Sequence, residues 1–197
     1  VYAEALNGIA QEAERVGNIV GDLLTLARAD AGERAIERVP FYLDDVVVDA
    51  TSSARVLAER QGVTIFAERF EEAPVVGDAA LVRQLVVILL HNAVKFTVAG
   101  GTIRLSVGVT SGHPTLVVED DGIGIAADQL PRVFERFYRA TETLARDDDP
   151  HAKTGAGAGL GLSIARWIAD AHDATIAIES TVNVGTRVTV QFPAVRG

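Results

Sequence analysis

Three features of this 197-residue sequence predict an α+β fold: one mixed sheet covered on one face by helices, preceded by a long N-terminal helix. Apolar residues recur at heptad spacing from Tyr2 to Ala27. Beyond Pro40, strand-like runs gather towards both ends of the remaining chain, with helical runs between them. One helical run, from Asp78 to Phe96, is nearly all apolar between Leu85 and Leu90 and must be buried on most sides. No internal repeat is present.

Composition narrows the class. Hydrophobic residues make up 48% and charged residues 23%, the balance of a packed chain with no disordered bias. The net charge of −9, from 27 acidic and 18 basic residues, disfavours nucleic acid or an anionic membrane as a partner. No nucleic acid and no direct membrane contact are therefore expected, and a phosphate site has to be local. The absence of cysteine excludes disulfides, thiolate metal sites and cysteine nucleophiles. No apolar run approaches the ~20 residues of a bilayer span, and no signal-peptide pattern occurs. The sequence lacks methionine and starts at Val1, so it is expected to be a piece of something longer.

The elements follow in order. Tyr2, Leu6, Ile9, Ala13, Val16, Val20, Leu23 and Ala27 form an unbroken heptad seam, widened by Ile19, Leu24 and Leu26 into the stripe of a helix with more than one neighbour. Gly8, Gly17 and Gly21 weaken that helix by roughly 1 kcal/mol each at exposed positions, so it depends on partners. Asp30-Ala31-Gly32 stops it, and residues 32–39 read as a polar linker to a domain over 40–197. Phe41 to Leu43 reads as a short strand, and Asp44 as the cap of a helix through about Gln61, ended by Gly62, with Val47, Ala50, Ala54 and Leu57 inward. Val63 to Ala67 and Val75-Val76 read as strands, and Asp78 caps the buried helix. Thr102 to Thr110 and Thr115 to Glu119 pair as a hairpin around Ser111-Gly112-His113-Pro114. Asp128 to Tyr138 is a short helical segment broken by Pro131, and Ala140 to Ala158 has the length and texture of a functional lid. Leu160 to His172 is a helix, with Leu160, Ile164, Ile168 and Ala171 inward. Ala174 to Ser180 and Thr186 to Phe192 close as a second hairpin.

Chemistry concentrates in a few stretches. The strand ending at Glu119 runs into Asp120-Asp121-Gly122-Ile123-Gly124-Ile125, carboxylates followed by backbone free to take positive φ. Such an acidic turn suits a grip on a polar ligand edge, and equally an ordinary turn. Gly155, Gly157, Gly159 and Gly161 form a ladder feeding a helix start, either a polyphosphate wrap or a hinge. Neither the P-loop nor the dinucleotide glycine spacing occurs. Asn92 and Lys95 lie three apart on one helix face, costly in an apolar setting unless paired. The amide suits a hard cation and the ammonium a phosphate. His91 is turned about 100° from Asn92 by helix geometry and reads as the weaker candidate.

Four stretches now combine. Leu89-Leu90-His91-Asn92-Ala93-Val94-Lys95-Phe96-Thr97, Asp120 to Ile125, Phe134-Glu135-Arg136-Phe137-Tyr138-Arg139 and Gly157 to Ile164 occur in that order. The sequence from Pro40 to Pro193 resembles the sensor histidine kinases of the Bergerat-fold ATPase superfamily, these being their asparagine, first glycine, phenylalanine and second glycine boxes. The heptad is similar to the second helix of that family's dimerisation and phosphotransfer hairpin, here residues 1–31.

The resemblance implies a two-layer α/β sandwich binding ATP and Mg²⁺. It implies that Asp120 accepts from the adenine amino group, that Gly122 and Gly124 let the chain pass beside the base, and that Phe96 lies along base and ribose. It further implies that Asn92 holds the metal, that Lys95 and Arg139 meet the phosphates, and that Thr186 supports the adenine pocket. Asn92, Lys95 and Arg139 are the implied catalytic set. Ile125, Gly157, Gly159, Leu160, Gly161 and Leu162, with Lys153 on the lid, complete the implied nucleotide contacts. Implied too are a cytoplasmic setting within a larger receptor, a homodimer in the full-length protein and a response regulator receiver domain as partner.

Departures are visible. Ile88 stands where the family usually carries an earlier asparagine, and His172-Asp173-Ala174 replaces the usual His-Gly-Gly. None of His91, His113, His151 and His172 has the sequence context of the family's phospho-accepting histidine, which is expected upstream of Val1. Two other readings stay open: a different Bergerat ATPase, such as an anti-sigma-factor kinase, and a nucleotide-free pseudokinase acting as a binding module.

Overall fold

The computed structural model describes residues 36–140 and 158–195, together with Gly17, Val20, Gly21, Leu23, Leu24 and Ala27. Those six positions are helical, and Val20, Leu23 and Leu24 are exposed. The rest of the heptad stretch lies outside the described residues, as do Lys153, Gly157 and most of the expected lid.

Seven strands and three helices follow in chain order among the described residues: β1 Val39–Tyr42, α1 Leu43–Gln61, β2 Thr64–Phe70, β3 Pro74–Gly77, α2 Ala79–Phe96, β4 Thr102–Thr110, β5 His113–Asp120, α3 Gly161–Ala171, β6 Thr175–Thr181 and β7 Gly185–Gln191. Five strands form one mixed sheet in the order β2-β4-β5-β7-β6, parallel only between β2 and β4. The mixed sheet with helices on one face is the predicted α+β architecture. β1 and β3 stand apart as a two-stranded antiparallel ribbon, which the sequence reading had not separated from the sheet.

The period-2 alternation of the strands decides which face is covered. Ile103, Leu105 and Val107 of β4 sit opposite Asp120, Val118 and Leu116 of β5, and all six are buried. Val188 and Val190 of β7 continue the same face. All three helices lie on that face. The opposite face carries a row of alternating charge in which Glu119 meets Arg104 at 3.5 Å and Arg187 at 2.5 Å. Exposed pairs of this kind contribute little stability but keep the uncovered face polar.

α2 is the core of the domain. Over 18 residues its mean hydropathy is 1.5, the length and composition of a membrane span. Leu81, Val82, Leu85, Val86, Leu89, Leu90 and Val94 are nevertheless buried between the sheet and the other two helices. Asp78 caps the helix as predicted, its Oδ1 accepting the backbone N–H groups of Ala80 and Leu81 at 3.0 Å. Asp44 does not cap α1. Its helix starts one residue earlier, at Leu43, and Asp44 Oδ1 instead accepts the Ala73 N–H at 3.1 Å, tying α1 to the entry of β3.

The hairpin between β4 and β5 is tighter than predicted, because His113 and Pro114 belong to β5 and only Ser111 and Gly112 turn. Both take positive φ (52° and 82°), the twist that matches antiparallel strands. The segment before Tyr138 is reduced to a single 3₁₀ turn, Leu130–Arg132, with Pro131 in it. The expected linker end also shifts: Val39 already pairs with Gly77, and the Arg38 guanidinium donates to Asp173 Oδ2 at 2.9 Å.

His172, at the end of α3, ties two elements of the helical layer together. Its ring is 2% exposed, Nδ1 lies 2.7 Å from the Ile168 carbonyl, and Nε2 accepts the Asp78 N–H at 3.0 Å. An acceptor at Nε2 and a carbonyl at Nδ1 require the neutral ring protonated on Nδ1. With both nitrogens committed, this histidine is a structural tie between α3 and the start of α2.

Candidate functional site

A cavity of about 670 Å³ opens beside the second half of α2. The register of the sheet delivers one wall. Pairing of Ile103 with Asp120, and of Asp120 with Thr186, places Asp120 and Thr186 side by side on the covered face at the strand ends. Both line the cavity. Asp121, one residue on, is exposed and does not line it; its Oδ1 accepts the Thr102 N–H at 2.8 Å and staples β4. Strand alternation thus separates the two carboxylates of the acidic turn into a cavity group and a structural one.

The Asp120 side chain is 9% exposed. Its Oδ1 accepts the Gly122 N–H at 2.9 Å. Burial pushes its pKa above the ordinary carboxylate range, the backbone N–H groups of Gly122 and Thr186 pull it back, and Asp121 and Glu119 push it up again. The loop that follows is pressed against backbone on both sides. A Cβ on Gly122 would strike the Phe96 carbonyl at the end of α2, and one on Gly124, at φ +68°, would strike the Thr181 carbonyl of β6. Gly122 is buried and absent from the cavity lining, whereas Gly124 and Ile125 line it.

α2 supplies the second wall. Asn92, Lys95 and Phe96 line the cavity, consistent with their helical spacing. The cost of burying an amide and an ammonium is only partial, because Asn92 is half-buried and Lys95 is exposed. The Asn92 side chain has no hydrogen-bond partner among the described residues. Desolvation, then the Arg139 guanidinium, hold the Lys95 ammonium below its ordinary pKa, and its Nζ sits 5.1 Å from the centre of the Phe96 ring. His91 also lines the cavity, against the sequence expectation, and desolvation lowers its pKa. The cavity wraps round more of the helix than the arc between positions 92 and 95.

The third wall joins distant segments. The Phe137 N–H donates to the Gly159 carbonyl at 2.9 Å, bringing Tyr138 and Arg139 beside Gly159, Leu160, Gly161 and Leu162, all of which line the cavity. Gly161 opens α3 close to Ile88 and Asn92, where a Cβ would come within 3.3 Å of the Ile88 side chain. Free N–H groups at that helix start favour an anion. Ala126, Gln129, Val133, Ile178 and Val182 are among the lining residues that the sequence reading did not single out. Ile178 was recoverable, since it alternates with the buried Ile176. The others come from loops with no periodic signal.

The site therefore has two chemical poles: a buried carboxylate beside a hydroxyl at the sheet end, and Lys95, Arg139 and a helix start elsewhere on the wall. Among the described residues no three histidine or carboxylate groups cluster in a way that could hold a metal ion. On the α2 wall, beside Lys95, the donor is the side-chain amide of Asn92. One neutral oxygen fits a hard cation whose remaining ligands come from phosphate and water, and does not fit a dedicated protein cage.

Comparison with known proteins identifies the family. Over 202 aligned residues the chain is 37% identical to the sensor histidine kinase YkoH of Bacillus subtilis, covering all of this chain and 41% of that protein. It is 35% identical to the sensor histidine kinase CusS of Escherichia coli over 93% of this chain and 36% of CusS. The chain thus spans about two-fifths of these curated relatives. The histidine kinase AdeS of Acinetobacter baumannii shares the fold, with a TM-score of 0.77 at 20% identity, over 97% of this chain and 84% of that one. Residues 77–196 match the family described as histidine kinase-, DNA gyrase B- and HSP90-like ATPases, and the chain belongs to that family.

Proposed function

We propose that the chain is the ATP-binding catalytic portion of a two-component sensor histidine kinase. Family membership implies ATP binding, and the relatives named above are sensor histidine kinases. The observation that carries the reading is the pairing, in one cavity, of the buried Asp120 carboxylate with a cationic wall of Lys95 and Arg139. A purine with an exocyclic amine fits the first, and a polyphosphate the second.

In this reading Asp120 and Thr186 hold the adenine edge while Phe96 and Ile125 flank the base. Lys95, Arg139 and the N–H groups around Gly159 to Leu162 hold the phosphates, with Lys153 and Gly157 closing over them. Asn92 holds Mg²⁺, which when bound neutralises charge on the β- and γ-phosphates. The chain's own contribution is then to fix the γ-phosphoryl group in line with an attacking imidazole nitrogen and to stabilise the charge that develops. The acceptor histidine lies on another segment of the parent protein. Residues 1–31 act as the second helix of a dimerisation and phosphotransfer hairpin, the residues between it and β1 as the linker, and a response regulator receiver domain takes the phosphoryl group onward in the cytoplasm.

The test mixes the chain with Mg·ATP labelled on the γ-phosphate and a separately made upstream segment of the parent protein. Label that is acid-labile and base-stable on the added segment is the expected result. Label on serine, or phosphate released to water without transfer, would refute the kinase reading.

A further inference from the structure

We propose that Ser180, which does not itself line the cavity, sets the hydrogen-bond polarity of the cavity's sheet end and so its preference for a base edge that donates. The inference rests on the nucleotide reading above and concerns which purine the site selects.

Ser180, Thr186 and Asp120 lie side by side on β6, β7 and β5, since Ser180 pairs with Thr186 and Thr186 with Asp120. Three groups surround the Ser180 hydroxyl. Its Oγ lies 2.8 Å from the Gly185 carbonyl, 2.8 Å from the Ile125 nitrogen and 2.9 Å from Thr186 Oγ1. A serine hydroxyl has one proton and two lone pairs. A carbonyl only accepts, so the proton goes to Gly185. The Ile125 N–H only donates, so it takes one lone pair. The remaining lone pair faces Thr186, which must therefore be the donor in that contact.

Thr186 has then spent its only proton on Ser180 and offers the cavity lone pairs alone. Asp120, ionised, is also acceptor-only, with Oδ1 already receiving the Gly122 N–H. The two side chains that reach the cavity from β5 and β7 thus present acceptors and no donor. An amino group on the base, met directly or through a water, satisfies them. A 6-oxo group would set oxygen against oxygen. Through the Ile125 N–H, the same hydroxyl also anchors the glycine loop that brings Gly124 and Ile125 to the cavity.

Ser180→Ala removes the acceptor that holds the Thr186 proton. The freed hydroxyl can turn and donate to a 6-oxo purine. Dissociation constants for Mg·ATP and Mg·ITP, measured on the full chain by calorimetry, give the discrimination ratio. The ratio is expected to fall roughly five- to tenfold in Ser180→Ala, the scale of one neutral hydrogen bond, and to be restored in Ser180→Thr. In a Thr186→Val background, which has no proton to redirect, adding Ser180→Ala should leave the ratio where it is. Should Ser180→Ala not fold, Ser180→Cys, a poor hydrogen-bonding partner of similar shape, gives the same comparison. A purely structural role would weaken both nucleotides together. A ratio within twofold of the unaltered chain, in a protein that still binds ATP, would overturn the inference. Binding of neither nucleotide by the unaltered chain would instead overturn the reading on which it rests, and the inference with it.

Discussion

Replacing Asp120 by asparagine exchanges one oxygen for an NH₂ group and leaves the side chain's shape intact. The amide oxygen can keep the Gly122 N–H, now 2.9 Å from Oδ1, and the NH₂ then faces the cavity where an acceptor stood. An adenine amino group loses a charge-assisted hydrogen bond, about 1.5–3 kcal/mol, and meets a donor instead. A total loss of ~2–4 kcal/mol corresponds to ~30- to ~700-fold weaker binding. Fold stability should move the other way. Burial is the main cause of the raised Asp120 pKa, so the folded chain takes up a proton more readily than the unfolded one. This group's contribution to stability is therefore lost as pH rises from the ordinary carboxylate range through the raised value. The neutral amide avoids that loss, and Asp120→Asn should melt no lower than the unaltered chain at about pH 7. Calorimetric titration with Mg·ATP, paired with thermal melts, reads both quantities. Affinity within threefold of the unaltered chain would refute the assignment of Asp120, and a lost cooperative melt would show that the residue is structural.

Three further perturbations test separate links. Gly124→Ala puts a methyl group against the Thr181 carbonyl at a φ of +68°; a cost of about 1–3 kcal/mol, seen as a melting point lower by roughly 3–10 °C, is expected. His172→Ala leaves the Asp78 N–H without its acceptor and a void beside Gly77 and Phe192. Urea unfolding should show a loss of about 2–4 kcal/mol, with an unchanged midpoint counting against the tie between α3 and α2. Lys95→Ala removes a cation from the phosphate wall and nothing from the base site, so Mg·ATP should bind at least ~10-fold more weakly while adenosine binds as before. Equal weakening of both ligands would place Lys95 at the base.

Much of the domain was legible because its signals are local. Asp78 caps α2 through N–H groups two and three residues away, which the sequence places beside it. The strands of both hairpins announce themselves by alternation, and the spacing of Asn92 and Lys95 puts them on one face wherever the helix is docked. Asp44 shows the limit. It has the chemistry of a cap, yet Ala73, twenty-nine positions on, takes its carboxylate. His91 reads as the weaker candidate on helical angle alone, yet it lines the cavity, because the breadth of a cavity depends on what packs opposite the helix.

Sequence alone therefore determined the strands and helices of the domain core, the buried helix among them, and the order of the four stretches that meet at the cavity, since each is written in neighbouring residues and in periods of two or 3.6. Tertiary structure decided which of two adjacent carboxylates turns inward, that β1 and β3 leave the sheet, and that Ser180 stands behind Thr186. Those outcomes depend on strand register and on where each hydroxyl proton is spent. Both are fixed only when segments far apart in the chain arrive at hydrogen-bonding distance.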